Sequence, residues 1–331
     1  MRRTMLALLA CAGAVGGGGG AATADESLGL APGQKLLAPI TFRQLALFPI
    51  VQTAAAVVDK TQYLTLTEGL KQKVVTVAEL PGGGSVNTLL VTNKSLRPLL
   101  ILGGEVVLGG QQDRILGQDT IVPAHEEMRV QVFCVEHGRW SGGRQFSAAQ
   151  GMADTKMRVR AKYRADQSQV WAEVAKKNAA HGAKPSTGTY RNLAAGDDGR
   201  KALGPYRAAV GGALGKLPDK DKVVGVIAAV NGRVTSVELF ARPELFAAYR
   251  DKLLDSIYMG AADAPVDDKA TVPKPAAIGE FMKKAKAAPP RVVNQTRAGK
   301  TEEQRSEGVM GSKVEAPAAA APVYESYQAD E

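Results

Sequence analysis

Apolar residues in the first half of the chain fall in short runs separated by polar turns, a spacing that predicts strands more than helices. Residues 74–80, 88–92 and 98–102 form three such runs, and the polar Asn93-Lys94-Ser95 predicts a turn that sends the third back along the second. Residues 119–123 and 129–135 repeat the pattern around Ala124-His125-Glu126-Glu127. In the last run Val130, Val132 and Cys134 alternate with Gln131, Phe133 and Val135, so the two sets lie on opposite faces. In this half, residues 65–72 are the helical candidate.

The second half has helical texture. Residues 168–180 place Val170, Trp171, Val174 and Ala175 on one stripe, with Glu173, Lys176 and Lys177 expected towards solvent. Residues 201–217 form a weaker helix, interrupted by Gly204-Pro205 and Gly211-Gly212. Residues 223–230 and 233–240 predict a hairpin around Asn231-Gly232, the preferred two-residue turn. Pro243 then opens a helix to about residue 258, with Leu245, Tyr249, Leu253 and Ile257 on one face. The whole predicts an α+β fold: an antiparallel, strand-rich first half, then helices plus an Asn-Gly β-hairpin packed against a C-terminal helix. It occupies a single domain over residues 33–261. From residue 262 Pro, Ala and Lys dominate, and beyond residue 295 the chain is polar without apolar periodicity. Apart from a short helix over 278–287, closed by Pro289-Pro290, residues 262–331 are expected to be a largely disordered tail. Such a tail serves as a spacer or contacts an envelope polymer or partner protein.

The first residues change the picture of location. Arg2-Arg3, a short apolar stretch, a glycine run and the small-x-small Ala22-Thr23-Ala24 make residues 1–24 a signal peptide. The product is expected to be exported, periplasmic or extracellular, with a lipid anchor at Cys11 as the lesser alternative. No segment approaches the roughly 20 apolar residues of a transmembrane helix. Cleavage leaves Cys134 as the lone cysteine, either buried and inert or reactive, and its apolar surroundings favour burial. The formal charge of +9 is scattered among carboxylates and aromatics make up only 5%, which argues against a nucleic-acid platform.

Candidate chemistry concentrates where predicted strands end. Gly103-Gly104-Glu105, Gly109 to Arg114, and Cys134 to Trp140 gather polar groups inside apolar sequence. Glu105, Gln112, Arg114, Glu136, Arg139 and Trp140 are the candidate ligand-binding residues. The two arginines offer forked donors for a carboxylate or phosphate. Glu105 or Glu136 could act as a general base, and Trp140 could stack on a ring. Arginine–glutamate pairs at a sheet edge also fix loops, tryptophan also plugs cores, and glycines also serve turns. No P-loop, nucleophile elbow or paired-cysteine site is present. His125, His137 and His181 fit no metal-ligand spacing, so neither a metal nor a cofactor is expected.

These segments resemble a bacterial and archaeal family, the ADP-ribosylglycohydrolase-and-rhodanese-phosphatase-superfamily-associated protein domain. The resemblance lies in Leu102-Gly103-Gly104-Glu105, Gly109 to Arg114, Ile121-Val122-Pro123-Ala124 and Cys134-Val135-Glu136-His137-Gly138-Arg139-Trp140. It extends to Tyr63-Leu64-Thr65-Leu66, Gln169-Val170-Trp171 and Val237-Glu238-Leu239-Phe240 through Pro243-Glu244-Leu245-Phe246, covering about residues 39–262. His137 stands where the family typically has Gln, and Asp113 where it has Asn. The resemblance implies a domain of unassigned biochemistry, and the family's genomic neighbours point to an ADP-ribose-like or nucleotide ligand by association. The expected function is an exported binding module for a small polar or anionic ligand. The alternatives are a hydrolase and a structural or assembly module of the cell envelope.

Overall fold

The computed structural model describes residues 27–54, 60–81, 86–139, 141–317 and 319–330; the expected signal peptide, Cys11 and Trp140 lie outside them. Strands β1 (Gln34–Leu36), β2 (Ile40–Phe42) and β3 (Leu45–Gln52) begin the chain, followed by the two-residue β4 (Leu64–Thr65). Helix α1 (Leu66–Lys71) starts where the Thr65 hydroxyl accepts from the Glu68 amide at 3.1 Å, an N-cap. Then come β5 (Val75–Glu79), β6 (Thr88–Asn93), β7 (Leu99–Ile101), β8 (Glu105–Gly109), β9 (Arg114–Leu116), β10 (Thr120–Val122), β11 (Glu126–Cys134) and β12 (Phe146–Met152).

The strands of this half exist largely as the hydrophobic pattern predicts, but their pairing differs. β6 and β7 do not form a hairpin, and neither do β10 and β11. Instead β6 pairs with β11 and β7 with β10, all antiparallel, so each turn carries the chain from one sheet to another. The reason is the buried Asn93 side chain. Its amide donates to the carbonyls of Arg97 (2.9 Å), Val122 (3.3 Å) and Pro123 (3.0 Å). Its oxygen accepts from the Ser95 amide and hydroxyl at 3.1 and 2.7 Å, so one side chain ties both turns together. A six-stranded sheet in the order β12-β8-β9-β11-β6-β5 results, beside a small sheet of β10, β7 and β4. Ala78 bridges Gln145 and the Glu79 amide donates to the Arg144 carbonyl at 2.8 Å, so the six-stranded sheet curls towards a barrel. In β7, Leu99 and Ile101 face the barrel core while Leu100 and the following Leu102 face the central core. A strand buried on both faces is therefore a continuous apolar run.

The helical half follows. Helix α2 (Thr155–Val159) runs into a π-helical turn, Arg160–Arg164, and α3 spans Gln167–Ala180. α4 (Arg191–Ala195) precedes α5 (Asp197–Tyr206), which continues through a second π-helical turn, Arg207–Gly211, into Gly212–Leu214. β13 (Val223–Val230) and β14 (Arg233–Phe240) form the expected hairpin, with Asn231 and Gly232 at φ of 48° and 74°. Helix α6 (Pro243–Ala262) packs Leu245, Tyr249, Leu253 and Ile257 into the central core.

The segment beyond residue 262, expected to be a largely disordered tail, is folded. After α7 (Pro275–Ala285) it supplies β15 (Arg291–Thr296), β16 (Gly299–Ser306), β17 (Val309–Glu315) and β18 (Tyr324–Ala329). These complete a nine-stranded antiparallel sheet in the order β1-β3-β13-β14-β18-β17-β16-β15, with β2 also on β3. α7 covers the outer face of that sheet together with Leu28 and Leu30. The apolar pattern was missing because much of the buried face of these strands is polar: Thr301, Glu303, Gln304, Ser312, Ser326 and Gln328 are all buried. Ser312 and Ser326 among them meet two cations from the α2 segment, and Thr301 donates to the Asp119 carbonyl at 2.8 Å. Arg158, fully buried, pairs with Glu238 at 2.5 Å and donates to Tyr324 at 3.0 Å and Ser326 at 3.4 Å. Lys162 donates to Asp119 at 2.8 Å and Ser312 at 3.0 Å. Buried charge of this kind is tolerated only when paired and hydrogen-bonded.

Candidate functional site

The predicted site residues fall into two separate groups. One is a corner where the ends of β8, β9 and β11 meet α4. Its centre is Asp113, fully buried. One carboxylate oxygen accepts from the Gly109 amide (2.9 Å), Arg139 (3.2 Å) and Arg191 (2.7 Å). The other accepts from Thr189 (3.1 Å) and the Arg191 Nε (3.0 Å). Arg139 donates to Glu136 at 2.9 Å and to the carbonyls of Gly110, Ser141 and Gly109 at 2.8, 3.0 and 3.1 Å. Glu136 also accepts from the Thr187 hydroxyl at 2.7 Å and the Asp113 amide at 3.2 Å. Burial alone would raise the Glu136 pKa, but the hydrogen bonds from Arg139, Thr187 and the Asp113 amide outweigh it and hold the carboxyl below its usual range.

Arg114 and Gln112 lie beneath this corner, both buried. Arg114 donates to the Gln112 carbonyl at 2.9 Å, to the Gln112 side chain at 3.3 Å and to Glu79 at 3.4 Å. Gln112 in turn donates to the His137 carbonyl at 3.4 Å, while the His137 ring meets Trp171 edge-on at 4.6 Å. The corner glycines have steric work. A Cβ on Gly142 would come within 2.2 Å of the Gly110 carbonyl oxygen, and one on Gly110 within 2.2 Å of the Phe146 ring. The corner therefore acts as a loop staple, with its arginine forks engaged by the protein's own carboxylates and carbonyls. The sequence pattern located Gln112, Arg114, Glu136 and Arg139 here but missed the hub, Asp113, with Glu79, Thr187, Thr189 and Arg191. Contributions from a loop some 75 residues downstream leave no signal in local spacing.

Glu105 is not part of this corner. It is fully buried on β8, where one oxygen accepts from Lys252 of α6 at 2.7 Å and the other from the Leu102 amide at 3.0 Å. The neighbouring glycines open space for the buried cations. A Cβ on Gly103 would lie 2.8 Å from the Lys162 side chain, and one on Gly104 2.5 Å from that of Arg158. Cys134 is buried, and burial pushes its thiol up despite Arg114 nearby. The Gln167 side chain brackets its backbone, accepting from the Cys134 amide at 2.7 Å and donating to its carbonyl at 2.8 Å. That contact starts α3 against β11.

A cleft of about 530 Å³ opens elsewhere, between the end of α6, the Asn231-Gly232 turn, and the first residues of α2. Lys156, Lys176 and Arg233 reach it from three elements, and Asp263 and Asp267 lie at its side. The Asp263 charge is held from behind by Lys177, which also pairs with Asp154 at 2.9 Å, and by His181 at 2.6 Å. Lys177 and Glu173, expected towards solvent, are buried; only Lys176 of the three is exposed. The helix turned because two acidic ends, Asp154 and Asp263, converge on Lys177. Burial alone would lower the Lys177 pKa, but these two carboxylates outweigh it and keep the ammonium charged. Lys176 and Arg233 have no ion-pair partner among the described residues.

Fold and sites together define an α+β protein, part barrel and part nine-stranded sheet, whose charged motif residues hold its strand ends together. The chain belongs to the ARG and Rhodanese-Phosphatase-superfamily-associated Protein domain family, whose model matches residues 33–324. That span runs past residue 262 to the first residue of β18, so it takes in α7 and β15–β17. No curated protein and no solved structure matches the chain. No helix among the described residues is long and apolar enough to cross a membrane.

Proposed function

We propose that the chain is an exported, non-catalytic binding module for a small anionic ligand, held in the cleft at the end of α6. The observation that carries this reading is the pair of cations, Lys176 and Arg233, that have no ion-pair partner among the described residues and line one ligand-sized cleft from different elements. Its volume of about 530 Å³ lies within the roughly 300–1,000 Å³ of small-molecule sites. Asp263 does not cancel those cations, since Lys177 and His181 already hold it, which leaves Asp267 as the carboxylate set against Lys176 and Arg233. The expected corner site supports binding less well, because Arg139 is saturated by internal partners. Hydrolysis by Glu105 or Glu136 would need an open carboxylate oxygen, and each of these oxygens already accepts a hydrogen bond. The N-terminal export pattern supports placement outside the cytoplasm.

Thermal denaturation with ADP-ribose, ADP, citrate and, as a neutral control, sucrose tests the proposal. At a hundredfold excess over Kd, an anion bound to the native state stabilises by about 2.7 kcal/mol. At least one anion should raise Tm, sucrose should not, and Lys176→Glu and Arg233→Glu should each abolish the shift. Lys35→Glu, an exposed reversal on β1, should leave it intact. No shift from any anion, or a shift that survives both cleft reversals, overturns the reading.

A further inference from the structure

A second cavity of about 400 Å³ lies between α6 and the π-helical turn that follows α5, and shares no lining residue with the cationic cleft. The extra residue in a π-helical turn widens the backbone locally, and such turns recur at functional sites. Here the widened turn ends at Gly211, and Gly215 follows one helical turn on, so two side chains are missing from the wall facing α6. Leu214 and Leu254, both buried, supply apolar surface. At the inner wall stands Tyr258, only 1% exposed and stacked on Tyr206 at 5.8 Å between ring centroids. Its hydroxyl is buried and makes no hydrogen bond among the described residues.

An unpartnered buried hydroxyl costs about 1–3 kcal/mol, so its retention calls for an explanation. The hydroxyl lies beside Gly211, itself a lining residue of the cavity, where an added Cβ would sit 3.5 Å away. Burial, with Asp255 and Asp251 nearby, raises the phenol pKa, which keeps the group a donor. The charged rim is balanced internally: Arg207 pairs with Asp255 through two contacts of 2.8 Å, and Arg250 with Asp251 at 2.9 Å. The rim therefore favours no net charge in the occupant, unlike the cationic cleft.

We propose that this cavity binds a compact, neutral, largely apolar molecule carrying one hydrogen-bond acceptor of the ketone or ester class, with the Tyr258 hydroxyl donating to that acceptor. Acetophenone and ethylbenzene are near-isosteric probes that differ in the acceptor. Their titration into the full chain, with leucine methyls and tyrosine rings isotopically labelled for NMR, reads occupancy directly. Acetophenone should shift the Leu214 and Leu254 methyls saturably. It should bind at least tenfold more tightly than ethylbenzene, a difference of about 1.4 kcal/mol. Tyr258→Phe should keep the fold and raise Tm or leave it unchanged, since an unpartnered buried hydroxyl is removed and no hydrogen bond is lost, and should erase the preference between the probes. Gly215→Leu, whose Cβ meets nothing closer than the Gly211 carbonyl oxygen at 3.5 Å, should fill the cavity and abolish binding of both. The proposal is overturned by absence of saturable shifts, by equal affinity for the two probes, or by a preference that survives Tyr258→Phe. A large loss of stability in Tyr258→Phe would equally overturn it, because the hydroxyl would then have a structural partner.

Discussion

Replacing Arg158 by Met probes how the C-terminal strands are held. The guanidinium lies with 0% side-chain exposure against an equally buried Glu238 and bridges from α2 to β14 and β18. Truncating it leaves the Glu238 carboxylate charged in the core, with the Tyr324 hydroxyl still donating to it. Removing one partner of a buried pair costs about 3–5 kcal/mol, a large share of the roughly 5–15 kcal/mol by which a domain of this kind is stable. Glu238→Met should cost a similar amount for the opposite reason. In the double variant no unpaired charge remains, although Tyr324 and Ser326 lose partners at about 1–3 kcal/mol each. The double variant should therefore be more stable than the sum of the single losses predicts, by about 2 kcal/mol or more, near the upper end of measured couplings. Urea unfolding followed by far-UV circular dichroism and tryptophan fluorescence measures all four corners of the cycle. Costs additive to within about 0.5 kcal/mol, or a single-variant loss below about 1 kcal/mol as at a surface pair, would refute the reasoning.

Three further outcomes follow from the same geometry. Asp113→Asn keeps an acceptor but loses the charge that Arg139 and Arg191 share, and should lower stability in urea by about 1.5–3 kcal/mol, the worth of charged hydrogen bonds. Glu136 has its pKa depressed in the fold, so its stabilisation is present above the unfolded glutamate value and lost as pH falls through the folded one. The Tm gap between wild type and Glu136→Gln should therefore be constant near neutrality and close in acid. A gap independent of pH would contradict this, and the paired comparison cancels Glu303, whose pKa burial raises. Deleting residues 291–331 removes β15–β18 and exposes β14 along its length; the product should lack near-ultraviolet dichroism, and a cooperatively melting fragment would show the strands to be dispensable.

Elements driven by local chemistry were legible in the sequence. The Asn231-Gly232 turn, Pro243 at the start of α6 and the alternation in residues 129–135 each depend on neighbours a few residues away. Pairing was not legible. The runs at 88–92 and 98–102 look like a hairpin because a polar turn separates them, yet Asn93 binds Val122 and Pro123 some 30 residues on and sends the strands into different sheets. The C-terminal strands were invisible for a related reason. Period-two hydrophobicity signals a strand only when the buried face is apolar, and here Thr301, Ser312 and Ser326 face Asp119, Lys162 and Arg158. Lys177 shows the same limit: its helical position resembles a solvated face until Asp154 and Asp263 arrive from distant segments. Of the candidate site, the corner was found as a cluster, but whether its arginines were free could not be read without their partners.

The internal pairing of these arginines bears on what family membership implies. Gly103 and Gly104 clear the path for Lys162 and Arg158, Glu105 anchors α6, and Glu136 with Arg139 closes the corner. The segments that carry the resemblance thus build the charged interior and strand ends of the domain. Lys176 and Arg233 at the cationic cleft, and Gly211, Gly215 and Tyr258 at the second cavity, lie outside those segments. Two chains could then share every motif, and with it the fold, while presenting different surfaces to ligands. A ligand inferred from the company the family keeps consequently has no physical hold on this chain unless its chemistry also suits these cavities. Substitutions at Lys176, Arg233 and Tyr258 should change binding without changing the fold, whereas those at Arg158, Asp113 and Glu136 should change the fold first.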